Sequence, residues 1–342
     1  MYTAVVLYKP RQLIIEERTE PQIGNNEVLI RVNYAGVCGT DIAIFSGEYA
    51  VPLPLVIGHE FTGEVSAVGT DVPNELIGKR VTAEINNTCI AYKRKELCPA
   101  CRRNLPTHCT QRTVVGIISH DGAFVQLVKV PIGSVHELPE NISLQEGVFV
   151  EPLAAAIQTF ELTEIKDGDT VVVLGVGRLG ILVCAVASLM GARTIAVSRS
   201  KNKLQRALKY GVAETIDASK NDIIQQVKMM TDGLSADVVV EATGSHKGID
   251  TAINLVRPRG TIALKTTCGI PADGVNITKL VVDEIRIHGS RCGPYEKAID
   301  LLQASKISVA SLIENIYPLS DVAQAIKAAK QASKILIHVN PP

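Results

Sequence analysis

Tryptophan is absent from this 342-residue chain and aromatic residues reach only 4%, so valine, isoleucine, leucine and alanine must build its core. An excess of one charge is also lacking: 35 Lys and Arg against 35 Asp and Glu give a formal net charge of zero. No electrostatic footprint for nucleic acid or an anionic membrane is therefore expected. Long apolar runs are missing too. The most apolar stretch, residues 181–190, is too short to cross a bilayer and follows Arg178. The opening residues, MYTAVVLYKPRQLIIEE, have no basic segment leading into an apolar run and a cleavage site. A cytoplasmic protein with no membrane or nucleic-acid partner is expected.

What is present is an ordinary globular composition, 46% hydrophobic and 20% charged. The length exceeds what one core usually serves, so two domains are expected. Of the eight cysteines, Cys38, Cys184, Cys268 and Cys292 are scattered, whereas Cys89, Cys98, Cys101 and Cys109 are concentrated. Without a secretion signal, this pattern favours metal binding over a disulfide scaffold. Cys184 reads as a small buried hydrophobe inside an apolar helix.

Up to about residue 140 the chain alternates in short runs broken by Gly, Pro and Asn, as in residues 27–33, 63–68 and 123–128. That rhythm predicts a β-rich domain. It changes after Leu153. Residues 170–174, Thr-Val-Val-Val-Leu, form a continuous apolar run suited to a central parallel strand. Helical stretches at 179–190, 202–210, 221–230 and 247–256 then alternate with strands at 194–197, 211–216, 236–241 and 260–264, which predicts βαβ units. A late helix, 321–332, and a final strand, 334–339, suggest that the two chain ends pack together.

Gly175, Gly177 and Gly180 follow the apolar strand and open a helix, which is the context a dinucleotide fingerprint needs. The first permits a tight turn, the second lets backbone approach a pyrophosphate, and the third allows close helix–strand packing. Arg178 and Leu179 lie within the same turn, where free N–H groups face the phosphates. At the end of the second strand an NAD site usually carries Asp or Glu. This chain carries Ser198 and Arg199, with Lys201 and Lys203 nearby. Serine does not repel a 2′-phosphate and arginine can pair with one, so NADP is expected ahead of NAD. A merely solvated basic helix start is the competing reading.

Cys38, in Gly-Val-Cys-Gly-Thr-Asp, and the pair His59-Glu60 offer thiolate, imidazole and carboxylate donors to zinc. Each also has a plain explanation, Cys38 as core filler and His59 as a loop histidine, and spacing alone does not make them converge. The third ligand is open; Glu151, beside the apolar pair Phe149-Val150, is a notable carboxylate. In the run Cys89-x8-Cys98-x2-Cys101-x7-Cys109, the central pair can clasp one face of a tetrahedral ion and the flanking cysteines can close it.

These pieces, together with Gly122-Ala-Phe124, Glu151-Pro-Leu153 and Ile287-His-Gly-Ser290, resemble the zinc-dependent medium-chain alcohol and polyol dehydrogenases along essentially the whole chain. The likeness is greater to the threonine, sorbitol and glucose dehydrogenase side of that family. It implies a groES-like β-rich catalytic domain, 1–148 and 287–342, and an α/β Rossmann domain with a doubly wound parallel sheet, 149–286. It implies that Cys38, His59 and Glu151 hold a catalytic Zn2+, with Glu60 ligating directly or through exchange with water. Thr40 would bond the substrate oxygen, and Asp41 would steady His59. Cys89, Cys98, Cys101 and Cys109 would hold a structural Zn2+, although the segment between the first two is longer here than in relatives. The run Lys93-Arg94-Lys95 in that segment is expected to be a solvated tip.

Where many relatives carry a proton-relay histidine this chain has Ala43, so another exit is needed, with His120 a candidate participant and a plain loop residue the competing reading. The implied activity is hydride transfer between NADP(H) and an alcohol or carbonyl, in a homodimer or homotetramer. NAD preference and a non-catalytic nucleotide-binding protein are the alternatives.

Overall fold

In the computed structural model, residues 1–267 and 270–340 are described, and Cys268 lies outside them. The chain divides into two compact units, Met1–Glu151 with Ile299–Pro342, and Pro152–Ala298. The first is therefore made from both chain ends.

In the first unit a seven-stranded sheet is organised around the strand Glu27–Gly36. That strand pairs antiparallel with Glu60–Val68 on one side and with the late strand Lys334–His338 on the other. Ile313–Pro318, not anticipated from the sequence, then pairs parallel with Lys334–His338. A smaller sheet joins Gln12–Arg18, Tyr2–Lys9 and Leu55–Val56. The alternation at residues 123–128 is not a strand along its length; the strand is Leu127–Pro131. The preceding residues bond elsewhere: Phe124 N–H donates to the Ile57 carbonyl, and its own carbonyl accepts from Val5 N–H.

In the second unit six strands form one parallel sheet. Across the sheet run Glu214–Asp217, Arg193–Ser198, Thr170–Leu174, Ala236–Glu241, Val256–Leu264 and Arg286–Gly289. Counted along the chain this is the order 3-2-1-4-5-6, the doubly wound dinucleotide-binding order. Val171, Val172 and Val173 are wholly buried, as a central strand covered on both faces requires. Val172, Val197, Val239 and Ile262 contribute to a core with Val227 of the helix Ile223–Met230 and Ile253 of the helix Gly248–Leu255. Because Arg286–Gly289 hydrogen-bonds to Val256–Leu264, it belongs to this sheet, and the chain rejoins the first unit only at Ile299 rather than at residue 287. Among the described residues, no helix is long and apolar enough to cross a membrane.

Candidate active site

The pairing of two strands brings Cys38 to His59 and Glu60. Gly36 at the end of one strand lies opposite Glu60 at the start of its neighbour. Two residues past Gly36, Cys38 caps the helix Gly39–Ser46. The ligand atoms of Cys38, His59 and Glu60 all lie within 4.8 Å of one another. Spacing along the chain could not reveal this, because the register of the strands creates it.

Asp41, wholly buried, organises both sides. One carboxylate oxygen accepts the Cys38 N–H at 2.8 Å. The other accepts the Gly58 N–H at 3.0 Å and lies 3.2 Å from His59 Nδ1. Burial opposes a charged His59, but Asp41 and then Cys38 outweigh it and hold the imidazole well above its ordinary pKa. Such a carboxylate orients a ligating histidine and sharpens its basicity toward a metal.

Glu60 is engaged by a residue the sequence reading missed. Lys334, on the late strand, donates from Nζ to Glu60 Oε2, and both side chains are buried. The same ammonium lies 5.3 Å from the ring centre of Phe149. A Cβ at Gly36 would come within 2.5 Å of Glu60 Oε2 and 2.8 Å of Val148 Cγ1, so only glycine leaves room for the pair. Glu151 is half-buried in the first turn of the helix Val150–Glu161 and is not part of the close group. Thr40 is half-buried in the helix that Cys38 caps. His120 is not in the group either; its Nδ1 lies 2.7 Å from the Asp121 carbonyl, and burial lowers its pKa.

The second thiol group is more complete. Cys89, Cys98, Cys101 and Cys109 are all buried with their sulfurs within 4.8 Å of one another. Cys89 and Cys109 are 3.5 Å apart, and Cys98 and Cys109 3.6 Å. Two sulfurs on a tetrahedral zinc, with Zn–S about 2.3 Å, stand about 3.8 Å apart. The Cys101 N–H leads the effects that bring the Cys98 thiol down to about 5, whereas burial pushes Cys101 up to about 12. Four buried sulfurs make a complete tetrahedral donor set, which fits a structural ion. The lengthened segment is tied down. Tyr92 donates to Glu27 at 3.4 Å, Arg94 lies 5.3 Å from the Tyr92 ring centre, and Arg94 also donates to Gln111 at 2.7 Å. Gln111 in turn accepts from the Cys89 thiol at 3.3 Å. Lys93, Arg94 and Lys95 are exposed as expected, yet Arg94 also braces the cysteine site.

In the second unit Gly175 has φ +98°, and a Cβ there would meet the Ala242 backbone at 2.8 Å. A Cβ at Gly180 would strike the Gly175 carbonyl, whereas one at Gly177 would meet nothing within 4 Å. Gly177 caps the twelve-residue helix Arg178–Leu189, so open space adjoins the first-turn N–H groups of that helix. A pyrophosphate fits that cradle. Arg178 and Leu179 are half-buried at the helix start. Ser198 ends the second strand and accepts the Ser200 N–H at 3.2 Å, Arg199 is exposed, and Lys203 is half-buried. Asp217, not singled out from the sequence, is the register partner of Ser198 on the next strand. Its pKa is lowered, first by the Ser219 hydroxyl.

The comparisons agree with this construction. Residues 24–140 match the alcohol dehydrogenase GroES-like domain, and residues 179–304 match the zinc-binding dehydrogenase family. The sorbitol dehydrogenase of Halalkalibacterium halodurans is 32% identical over 332 residues, 96% of this chain and 95% of that one. A zinc-binding dehydrogenase from Sinorhizobium meliloti, solved bound to NADP, superposes with a TM-score of 0.90 at 28% identity over 99% of each chain. An Escherichia coli alcohol dehydrogenase complexed with NADH gives a TM-score of 0.90 at 27% identity, over 98% of this chain and 99% of that one. The chain belongs to the zinc-dependent medium-chain dehydrogenases, NAD(P)-dependent oxidoreductases that include the sorbitol and polyol dehydrogenases.

Proposed function

We propose that this enzyme interconverts a secondary alcohol or polyol and the matching carbonyl, with NADP(H) as hydride partner. The observation that carries the reading is the convergence of Cys38, His59 and Glu60 around the wholly buried Asp41. Cys38 and His59 would hold the catalytic zinc with Glu151 as third ligand, and Cys89, Cys98, Cys101 and Cys109 a structural zinc. When bound, the catalytic ion supplies Lewis acidity to the substrate oxygen, and the nicotinamide accepts or gives the hydride.

The chain's own residues do the rest. Asp41 keeps the imidazole oriented and its basicity directed at the metal. Thr40 would hydrogen-bond the substrate oxygen and relay its proton onward to water, Glu60 or the cofactor ribose, because Ala43 has no ionisable group to receive it. Glu60, held by Lys334, would ligate the ion directly or through exchange with water. Backbone N–H groups at the start of Arg178–Leu189 hold the pyrophosphate. Arg199 and Lys203 would face a 2′-phosphate, with Ser198 leaving space for it.

One observation favours a second reading. Asp217 lies beside Ser198 in register, and a carboxylate there would suit the ribose hydroxyl of NAD. A panel of polyols, secondary alcohols and ketones assayed with both cofactors separates the two. The proposal requires higher kcat/KM with NADP(H), and equal or better turnover with NAD(H) overturns the cofactor assignment. Absence of turnover by zinc-loaded protein across the panel overturns the substrate class.

A further inference from the structure

Glu241, the last residue of the strand Ala236–Glu241, is only 4% exposed, yet the turn that follows it, residues 243–245, is exposed. One carboxylate oxygen accepts from the Thr243 N–H at 2.8 Å and from the Thr243 hydroxyl, and the other accepts from the Thr266 hydroxyl at 3.3 Å. The same two hydroxyls also accept. Thr266 Oγ1 takes the Gly244 N–H at 2.8 Å, and Thr243 Oγ1 takes the Ser245 N–H at 3.0 Å. An ionised carboxylate can only accept, so both hydroxyl protons point at Glu241 and their lone pairs face the turn. One buried side chain therefore fixes all three N–H groups of an exposed turn. A glycine makes room for it: a Cβ at Gly248, which opens the helix Gly248–Leu255, would come within 2.3 Å of Glu241 Oε1 and 2.8 Å of Thr243 Oγ1. The start of a helix favours a negative charge beside it.

The place of this turn gives the network a use. The strand order reverses between Thr170–Leu174 and Ala236–Glu241, and a dinucleotide lies across that crevice, outside the carboxyl ends. Gly175 follows the first of these strands, and a Cβ on it would meet the Ala242 backbone at 2.8 Å and Thr243 Cα at 2.9 Å. The turns that leave the two strands thus pack against each other, one on each side of the reversal. Gly177 and Ser198 lie with the strands that take the pyrophosphate and adenosine end. Residues 243–245 therefore border the half of the cofactor that runs toward the nicotinamide. Gly244 has φ +70°, and a Cβ there would have only the Thr267 carbonyl within 4 Å, at 3.9 Å. The turn presents bare backbone to open space, and a ligand can approach it closely.

We propose that Glu241 is a positioning residue for the cofactor: through Thr243 and Thr266 it sets the turn at residues 243–245 as the second wall of the dinucleotide crevice. The proposal rests on the dinucleotide reading of the turn at residues 175–180. Glu241 touches no reacting atom and moves no proton in the reaction. Its effect is on how firmly the nicotinamide half is held, so it acts on binding and leaves the chemical step alone.

The test is calorimetric titration of the full-length zinc-loaded protein with NADP, NAD and ADP, joined to steady-state kinetics. ADP carries the adenosine and pyrophosphate but neither the second ribose nor the nicotinamide. Glu241→Gln keeps the shape and turns one acceptor into a donor aimed at the Thr266 hydroxyl. It should weaken the tighter-bound dinucleotide about tenfold and raise its KM to match, with kcat within about twofold and ADP affinity unchanged. Thr266→Val should do the same, whereas Thr266→Ser keeps the hydroxyl and should bind as the native protein does. That pair serves if Glu241→Gln does not fold. Native dinucleotide affinity in a folded Glu241→Gln or Thr266→Val variant overturns the proposal. An equal loss of dinucleotide and ADP, or a Thr266→Ser variant as weak as Thr266→Val, also overturns it, because the role is then general to the fold. If the native protein binds neither NADP nor NAD, the dinucleotide reading itself falls, and the proposal with it.

Discussion

Lys334 Nζ donates to Glu60 Oε2 across 274 residues of chain, inside a space closed by Phe149, Val148 and Gly36. The pair joins the last strand of the first unit to the carboxylate of the candidate metal group. Removing one member leaves a buried charge without its partner. Lys334→Met should therefore lower unfolding free energy by about 3–5 kcal/mol, and Lys334→Met with Glu60→Gln should recover part of that loss. Denaturant unfolding of both variants checks this. A double variant no more stable than the single one contradicts the pairing as the source of the effect.

Asp41 fixes the Cys38 and Gly58 backbone and faces His59 Nδ1. Asp41→Asn keeps the shape and loses the charge. Zinc affinity at the catalytic site should fall by about 10–100-fold, read by competition with a chromogenic chelator. The four-cysteine site should keep its ion in the same variant, which serves as the internal control.

These two relationships mark what was legible in the sequence. The Gly175–Gly180 turn was readable because a fingerprint of local backbone requirements sits between a strand and a helix that are themselves contiguous. The Cys98–Cys101 pair was readable for the same reason, since its geometry is set within one short segment. Lys334 was not, because its partner is determined by strand order, and nothing local to Lys334-Ile-Leu-Ile distinguishes a buried ammonium from a solvated one. Arg286–Gly289 was missed as the sixth strand of the parallel sheet because its residues are largely exposed at the sheet edge and carry no continuous apolar run. The role of Arg94 was hidden likewise: a basic run reads as solvent-facing, while its link to Gln111 depends on the fold of the lengthened segment.

His120 supplies a pH dependence. Burial lowers its pKa below the ordinary 6.5, so the folded state holds it neutral while the unfolded chain takes a proton more readily. Its contribution to stability is present above the unfolded value and is lost as pH falls through about 6.5 and below. Between pH 7 and 5 the native protein should lose more thermal stability than His120→Asn. Parallel Tm curves for the two proteins would contradict that assignment.

Arg199 should distinguish the cofactors. Arg199→Ala removes the exposed guanidinium that would face a 2′-phosphate, so KM for NADP should rise about tenfold or more while KM for NAD changes little. Asp217→Asn in the same background tests the competing arrangement. A selective loss of NAD affinity in that variant, with no response to Arg199→Ala, would identify NAD as the partner.

The central claim is that the group around Cys38 and His59 carries hydride transfer. The most direct measurement combines zinc content with the initial rate of nicotinamide reduction on a polyol or secondary alcohol, for native protein and Cys38→Ser. The account predicts two zinc ions per native chain and one in Cys38→Ser, with the four-cysteine ion retained and turnover lost. Turnover at the native rate in Cys38→Ser, with only the four-cysteine ion present, would contradict it.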